Sequence, residues 1–122
     1  MKWKLFAASL FITTLVSCTK QNEESFLIRN PVICDTTSVK FSINVFPIIQ
    51  NRCFSCHGNG LQLGNVSLGS YAAIKFQATQ NDLIQVIKHD PGFVQMPLGE
   101  AKMSSCEINT IVAWVNNGAP LN

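Results

Sequence analysis

Residues 44–57 read Asn44-Val45-Phe46-Pro47-Ile48-Ile49-Gln50-Asn51-Arg52-Cys53-Phe54-Ser55-Cys56-His57. Asn44 can cap a helix running toward Cys53, which puts Pro47 in a first turn where its missing N–H is not required. Such a helix delivers two thiols and an imidazole at its end. Further along, Ser104-Ser105-Cys106-Glu107 has the form of a capping box, followed by apolar Ile108, Ile111, Val112 and Val115 at helical spacing, with Trp114 beside them. Gly118 and Pro120 supply the stop, so the pattern predicts an amphipathic helix from near Ser105 to near Asn117. Tyr71 to Gln77 and Asn81 to His89, the second with apolar Leu83, Ile84, Val86 and Ile87, read as two further short helices. No segment alternates for long enough to be a strand, and an all-α domain of about four short helices is expected.

The spacing Cys53-Phe54-Ser55-Cys56-His57 is C-x-x-C-H, the attachment signature of c-type haem. Two thiols three positions apart lie on one side of a helical turn and can form thioethers to the two vinyl groups. The adjacent histidine then turns its imidazole under the iron. Two other readings compete. A thioredoxin-like dithiol would follow a buried strand, and Phe41 to Arg52 contains no such run. A zinc site would need a second ligand pair at a regular spacing, whereas Cys34, His89 and Cys106 are scattered.

A haem iron in an electron carrier also takes a sixth ligand, and the candidates are Met96, Met103 and His89. Met96 precedes Pro97 on a stretch poor in helix signals, Pro91 to Glu100, and can be presented from an extended loop. It is the favoured candidate. Met103 stands just before a helix start and reads as a packing residue. His89 reads as a helix-end histidine beside Asp90, favourable with the helix dipole. An open sixth position would instead suit a small-ligand sensor or a peroxide-reducing subunit.

At 122 residues and 13.4 kDa the chain is long enough for one modest core and too short for two. Hydrophobic residues are 47% and charged ones 13%, which excludes a disordered chain. The formal charge is only +2, with no basic stripe, so nucleic acid is not expected as a partner. No Ser/His/Asp set or carboxylate pair emerges, and an enzyme of that kind is not expected either.

Residues 1–17 have the layout of a signal peptide: Lys2 and Lys4, then an uncharged stretch from Leu5 to Val16. The stretch falls short of the ~20 apolar residues needed to span a bilayer. Leu15-Val16-Ser17-Cys18 resembles a bacterial lipobox, which implies that Cys18 is lipidated and tethers an exported protein to a membrane in the periplasm or cell envelope. Residues 18–33 then form the lipidated N-terminus and tether, with polar Thr19 to Glu24, and residues 34–122 the folded domain. Without Lys2 and Lys4, seven basic residues face seven acidic ones, and the mature chain is neutral.

Five cysteines are present, and with Cys18, Cys53 and Cys56 assigned, Cys34 and Cys106 are left over. Outside the cytoplasm such a pair is more often a disulfide than two free thiols, a redox-active dithiol being the alternative.

Taken together these residues resemble the small class I-type cytochrome c domains of exported Bacteroidota lipoproteins. The resemblance runs from about Cys34 to Asn122. It rests on Cys34-Asp35-Thr36-Thr37, Val45-Phe46-Pro47-Ile48-Ile49, Cys53 to Asn59, Val66-Ser67-Leu68 followed by Tyr71, Met96-Pro97, and Ile111-Val112-Ala113-Trp114-Val115 ending in Gly118-Ala119-Pro120. It implies an all-α cytochrome c-like fold around one covalent haem c, with His57 proximal, Met96 distal, and Cys34 and Cys106 in the positions of a cysteine pair that often accompanies the pattern. A mono-haem electron carrier meeting redox partner proteins follows, and a haem-free C-x-x-C thiol-disulfide protein is the remaining alternative. One departure is the loop Leu98-Gly99-Glu100, where the family commonly has two glycines.

Overall fold

A computed structural model describes residues 34–122. The expectations for the signal peptide, Cys18 and the tether lie outside the described residues. Four α-helices make up the domain: α1 Phe46–His57, α2 Tyr71–Gln80, α3 Leu83–Lys88 and α4 Ser105–Asn116. A π-turn, Phe41–Val45, leads into α1, and a short 3₁₀ turn, Leu63–Asn65, lies between α1 and α2. Among the described residues there is no strand and no helix long and apolar enough to cross a membrane.

The entry to α1 differs from the sequence expectation. Asn44 does not cap a helix that starts after it; helical structure is already under way at Phe41, with Lys40 as its N-cap. The Asn44 carboxamide instead accepts the backbone N–H of Lys40, four residues earlier, at 2.8 Å. Pro47 lies in the first turn of α1 as expected. The wide turn before it is closed by bonds of the i to i−5 type, Val45 N–H to Lys40 C=O at 3.3 Å and Phe46 N–H to Phe41 C=O. The free N–H groups of this turn are met from the far end of the chain: Asn122 accepts from the Phe41 N–H through Oδ1 at 2.7 Å, and from Ser42 through its backbone oxygen.

Helix α4 follows the sequence closely. The Ser104 hydroxyl accepts the Glu107 N–H, and the Glu107 carboxylate accepts the Ser104 N–H, a reciprocal capping box. The other end closes with Gly118 N–H on Val115 C=O at 2.9 Å and Ala119 N–H on Trp114 C=O at 2.9 Å. This is a Schellman cap, and it needs a left-handed residue, which Gly118 supplies at φ 86°.

The core lies between the first and last helical segments. Phe41, Phe46, Tyr71 and Trp114 contact one another at centroid separations of 5.0 to 6.5 Å. Trp114 is fully buried, and its indole N–H donates to Pro120 C=O at 2.9 Å. The Tyr71 hydroxyl donates to Ala119 C=O at 2.7 Å, so both polar aromatic tips are met by the chain that follows α4. Around this cluster Val45, Ile49, Leu68, Ile74, Ile87 and Ile111 are buried.

Two cross-links join the start of α4 to the rest. Cys34 and Cys106 form a disulfide across 72 positions of sequence, with Cα atoms 5.4 Å apart. Arg52 on α1 reaches Glu107 on α4 with both ends of its fork, Nε to Oε1 at 2.8 Å and Nη2 to Oε2 at 3.2 Å.

Candidate functional site

Helix α1 ends on the C-x-x-C-H segment, so Cys53, Cys56 and His57 occupy its last turns. Gly58 follows because a Cβ there would collide with the Phe54 ring folded over it. The chain then returns along the helix end. Leu68 N–H donates to His57 C=O at 2.8 Å, and the His57 ring faces Val66 C=O through Nδ1 at 3.1 Å. A carbonyl oxygen can only accept, so Nδ1 carries the hydrogen and the Nε2 lone pair is left to bind a metal. A backbone carbonyl in this role is the usual second partner of a ligating histidine.

These three residues and Met96 line one cavity of about 710 Å³. Its walls are largely apolar, with Leu68, Leu83, Val86, Ile87 and Met103 contributing. A cavity of this size and lining has room for a bulky, mostly apolar group. Leu63 and Leu98 also line it and are 57% and 74% exposed, so its mouth is apolar too.

The apolar residues that the sequence offers as a haem surround are Phe46, Ile49, Leu61, Leu63, Leu68, Tyr71, Phe93, Leu98 and Trp114, and of these Leu63, Leu68 and Leu98 line the cavity. Phe46, Ile49, Tyr71 and Trp114 do not; they pack into the junction of α1 and α4, where the aromatic rings contact one another. Leu61 and Phe93 are not on the wall either. The sequence reading missed α3 as a wall: Leu83, Val86 and Ile87 come from one short helix whose apolar pattern was visible, but not its destination.

Cys53 and Cys56 are both free thiols, the first half-buried and the second exposed. Burial pushes the Cys53 thiol up to about 11, against a weaker pull downward from Arg52. A nucleophilic dithiol needs the opposite shift, toward the thiolate at neutral pH. The zinc alternative loses two of its three further ligand candidates, since Cys34 and Cys106 are bonded to each other. Among the described residues no group of three or more His, Cys, Asp or Glu side chains is placed to hold a metal ion.

Met96 lies on the irregular stretch between α3 and α4, half-buried, and its peptide bond to Pro97 is cis. Its N–H donates to Val86 C=O at 3.0 Å, and His89 Nε2 lies 3.0 Å from its carbonyl oxygen. His89 stands at the end of α3 as the sequence suggested, with its ring on this loop. Met103 is buried next to the Ser104 cap, in keeping with a packing role, and it also lines the cavity. Gly99, in the loop with fewer glycines than the family pattern, adopts φ 75°.

Compared with known proteins, the chain matches no family model, no curated sequence and no solved structure.

Proposed function

We propose that this chain is a mono-haem c-type cytochrome, an electron-transfer protein of the cell envelope. In this reading Cys53 and Cys56 carry the haem c thioethers, His57 is the proximal ligand, Met96 the distal ligand, and Cys18 the lipid attachment that holds the domain to a membrane. The observation that carries the reading is the convergence of Cys53, Cys56, His57 and Met96 on one apolar cavity, with His57 already fixed in the tautomer that frees Nε2.

When bound, the haem supplies a one-electron Fe(III)/Fe(II) couple. Cys53 and Cys56 would hold it through thioethers, each thiol adding S and H across one vinyl group with no net oxidation. His57 is held by Val66 C=O and needs no reorientation to present Nε2. Leu68, Leu83 and Ile87 would surround the haem with apolar side chains and favour the less charged ferrous state, which raises the potential in the same direction as a thioether ligand. Leu63 and Leu98 at the mouth offer a small apolar contact, of the scale expected for brief encounters with redox partner proteins.

The test is the visible spectrum of the exported, matured protein in both oxidation states. A c-type spectrum with covalent haem, and slow carbon monoxide binding to the reduced form, is expected of a six-coordinate carrier. A colourless product with Cys53 and Cys56 both open to alkylation would overturn the proposal. Rapid carbon monoxide binding would replace the carrier with a small-ligand sensor or peroxide-reducing subunit.

A further inference from the structure

We infer that His89 is the positioning residue for Met96. From the C-terminal end of α3 its imidazole grips the Met96 peptide and keeps the thioether on the cavity wall. This deepens the haem reading and rests on it.

The geometry brackets one residue from both sides. A carbonyl only accepts, so the 3.0 Å contact between His89 Nε2 and Met96 O is a donation by the imidazole. The Met96 N–H in turn donates to Val86 C=O, also at 3.0 Å. The two peptide groups flanking the Met96 Cα are thus both tied to the last turn of α3. The flanking chain has little else: Phe93 and Val94 before it are 38% and 59% exposed, Leu98 after it is 74% exposed. Phe93 N–H on Asp90 C=O and Glu100 N–H on Pro97 C=O are local turns that do not fix the loop to the body.

The backbone of His89 points the same way. Helix α3 ends in the same cap as α4, with His89 N–H on Val86 C=O at 3.3 Å and Asp90 N–H on Gln85 C=O at 3.0 Å. That cap requires a left-handed residue. At α4 the position is filled by Gly118, φ 86°; at α3 it is filled by His89, φ 56°, which carries a steric cost that glycine avoids. What position 89 has and a glycine would lack is the imidazole that bonds Met96. The left-handed conformation turns the ring off the helix end and onto the loop.

The experiment uses the exported, haem-loaded protein and four variants. His89→Gly keeps the cap and deletes the donor. His89→Asn also suits the left-handed position, but its shorter side chain does not reach where Nε2 stands, so it serves if the glycine variant folds poorly. His89→Gln restores an N–H at the Nε2 position. Met96→Ala reports the complete loss of the ligand. The readouts are haem content per chain, the thioether-to-ferric-iron charge-transfer absorption, and the rate of carbon monoxide binding to the ferrous form. For His89→Gly and His89→Asn the expected result is parental haem content, a weakened charge-transfer absorption, and carbon monoxide binding faster on the order of 10-fold, the usual scale for losing an outer-shell partner. His89→Gln should return both signals toward the parent. If His89→Gly and His89→Asn match the parent while Met96→Ala does not, the positioning role is wrong and the haem reading stands. If Met96→Ala also matches the parent, Met96 is not the ligand and the role falls with it. A parent without covalent haem overturns the functional proposal itself.

Discussion

His57 and Met96 line the same cavity from two walls built in different ways. His57 closes a twelve-residue helix, its ring and its carbonyl both bonded to the returning chain. That helix is clamped to α4 by the Arg52–Glu107 fork and the aromatic cluster. Met96 sits on an irregular stretch between helices, with exposed neighbours and two hydrogen bonds to α3. Local opening free energy follows buried apolar contact and protected hydrogen bonds. The Met96 wall can therefore part while the His57 wall stays intact, and under the proposed function the distal bond is the one to give way first.

The largest blow falls on the His57 wall. Trp114→Ala removes a fully buried indole and its bond to Pro120, and should cost about 3–5 kcal/mol, read from urea denaturation, with both walls lost together. Next, serine at both Cys34 and Cys106 opens a loop of 72 positions and should cost up to about 4 kcal/mol, with a matching fall when the parent is reduced. Met96→Ala sharpens the contrast: the haem-free chain should lose about 1 kcal/mol or less, while the loaded protein shows a lower potential and readier carbon monoxide binding. A parental potential in this variant would remove Met96 from the site.

The two smallest effects concern single groups on α1 and α4. Arg52→Ala and Glu107→Gln break a surface pair, and each should lower stability only slightly, read from urea denaturation. The Arg52 guanidinium, and then the Ser104 groups, hold the Glu107 carboxyl below its ordinary value, against a rise from burial. Its contribution is therefore present above that ordinary value and lost as pH falls through the lowered one, so Glu107→Gln should flatten the acid side of the stability profile. In the haem-free chain Cys53, half-buried and raised to about 11, should alkylate well after exposed Cys56 at neutral pH, as read by mass spectrometry of the peptides.

Helix α4 was legible because everything that makes it is local: the Ser104/Glu107 box, apolar residues at helical spacing, and Gly118 as the stop. The C-x-x-C-H spacing is local in the same way, and the fold sets Cys53, Cys56 and His57 together at the end of α1 on one cavity. The disulfide was legible by leaving two cysteines without another use, although only the fold brings their Cα atoms to 5.4 Å. What failed depended on distant contacts. Asn44 has the chemistry of a cap, but residues at the far end of the chain satisfy Phe41 and Ser42, so the helix starts earlier. The aromatic residues look like a cofactor's surround in sequence, yet they pack tilted and edge-on around Phe41, where the turn into α1 meets α4. His89 was weighed as a ligand or a helix end; its hold on Met96 arises from a loop closure that no local pattern encodes.

The Cys34–Cys106 bond also sets a path for force. A tug on the residues preceding Cys34 reaches the domain at that cysteine, and the covalent link passes part of the load straight into the first turn of α4. There the Schellman-capped helix and its aromatic cluster bear it, in place of the turn that leads into α1. Under the proposed lipid attachment at Cys18, strain from the mooring would thereby be diverted away from the segment that carries Cys53, Cys56 and His57.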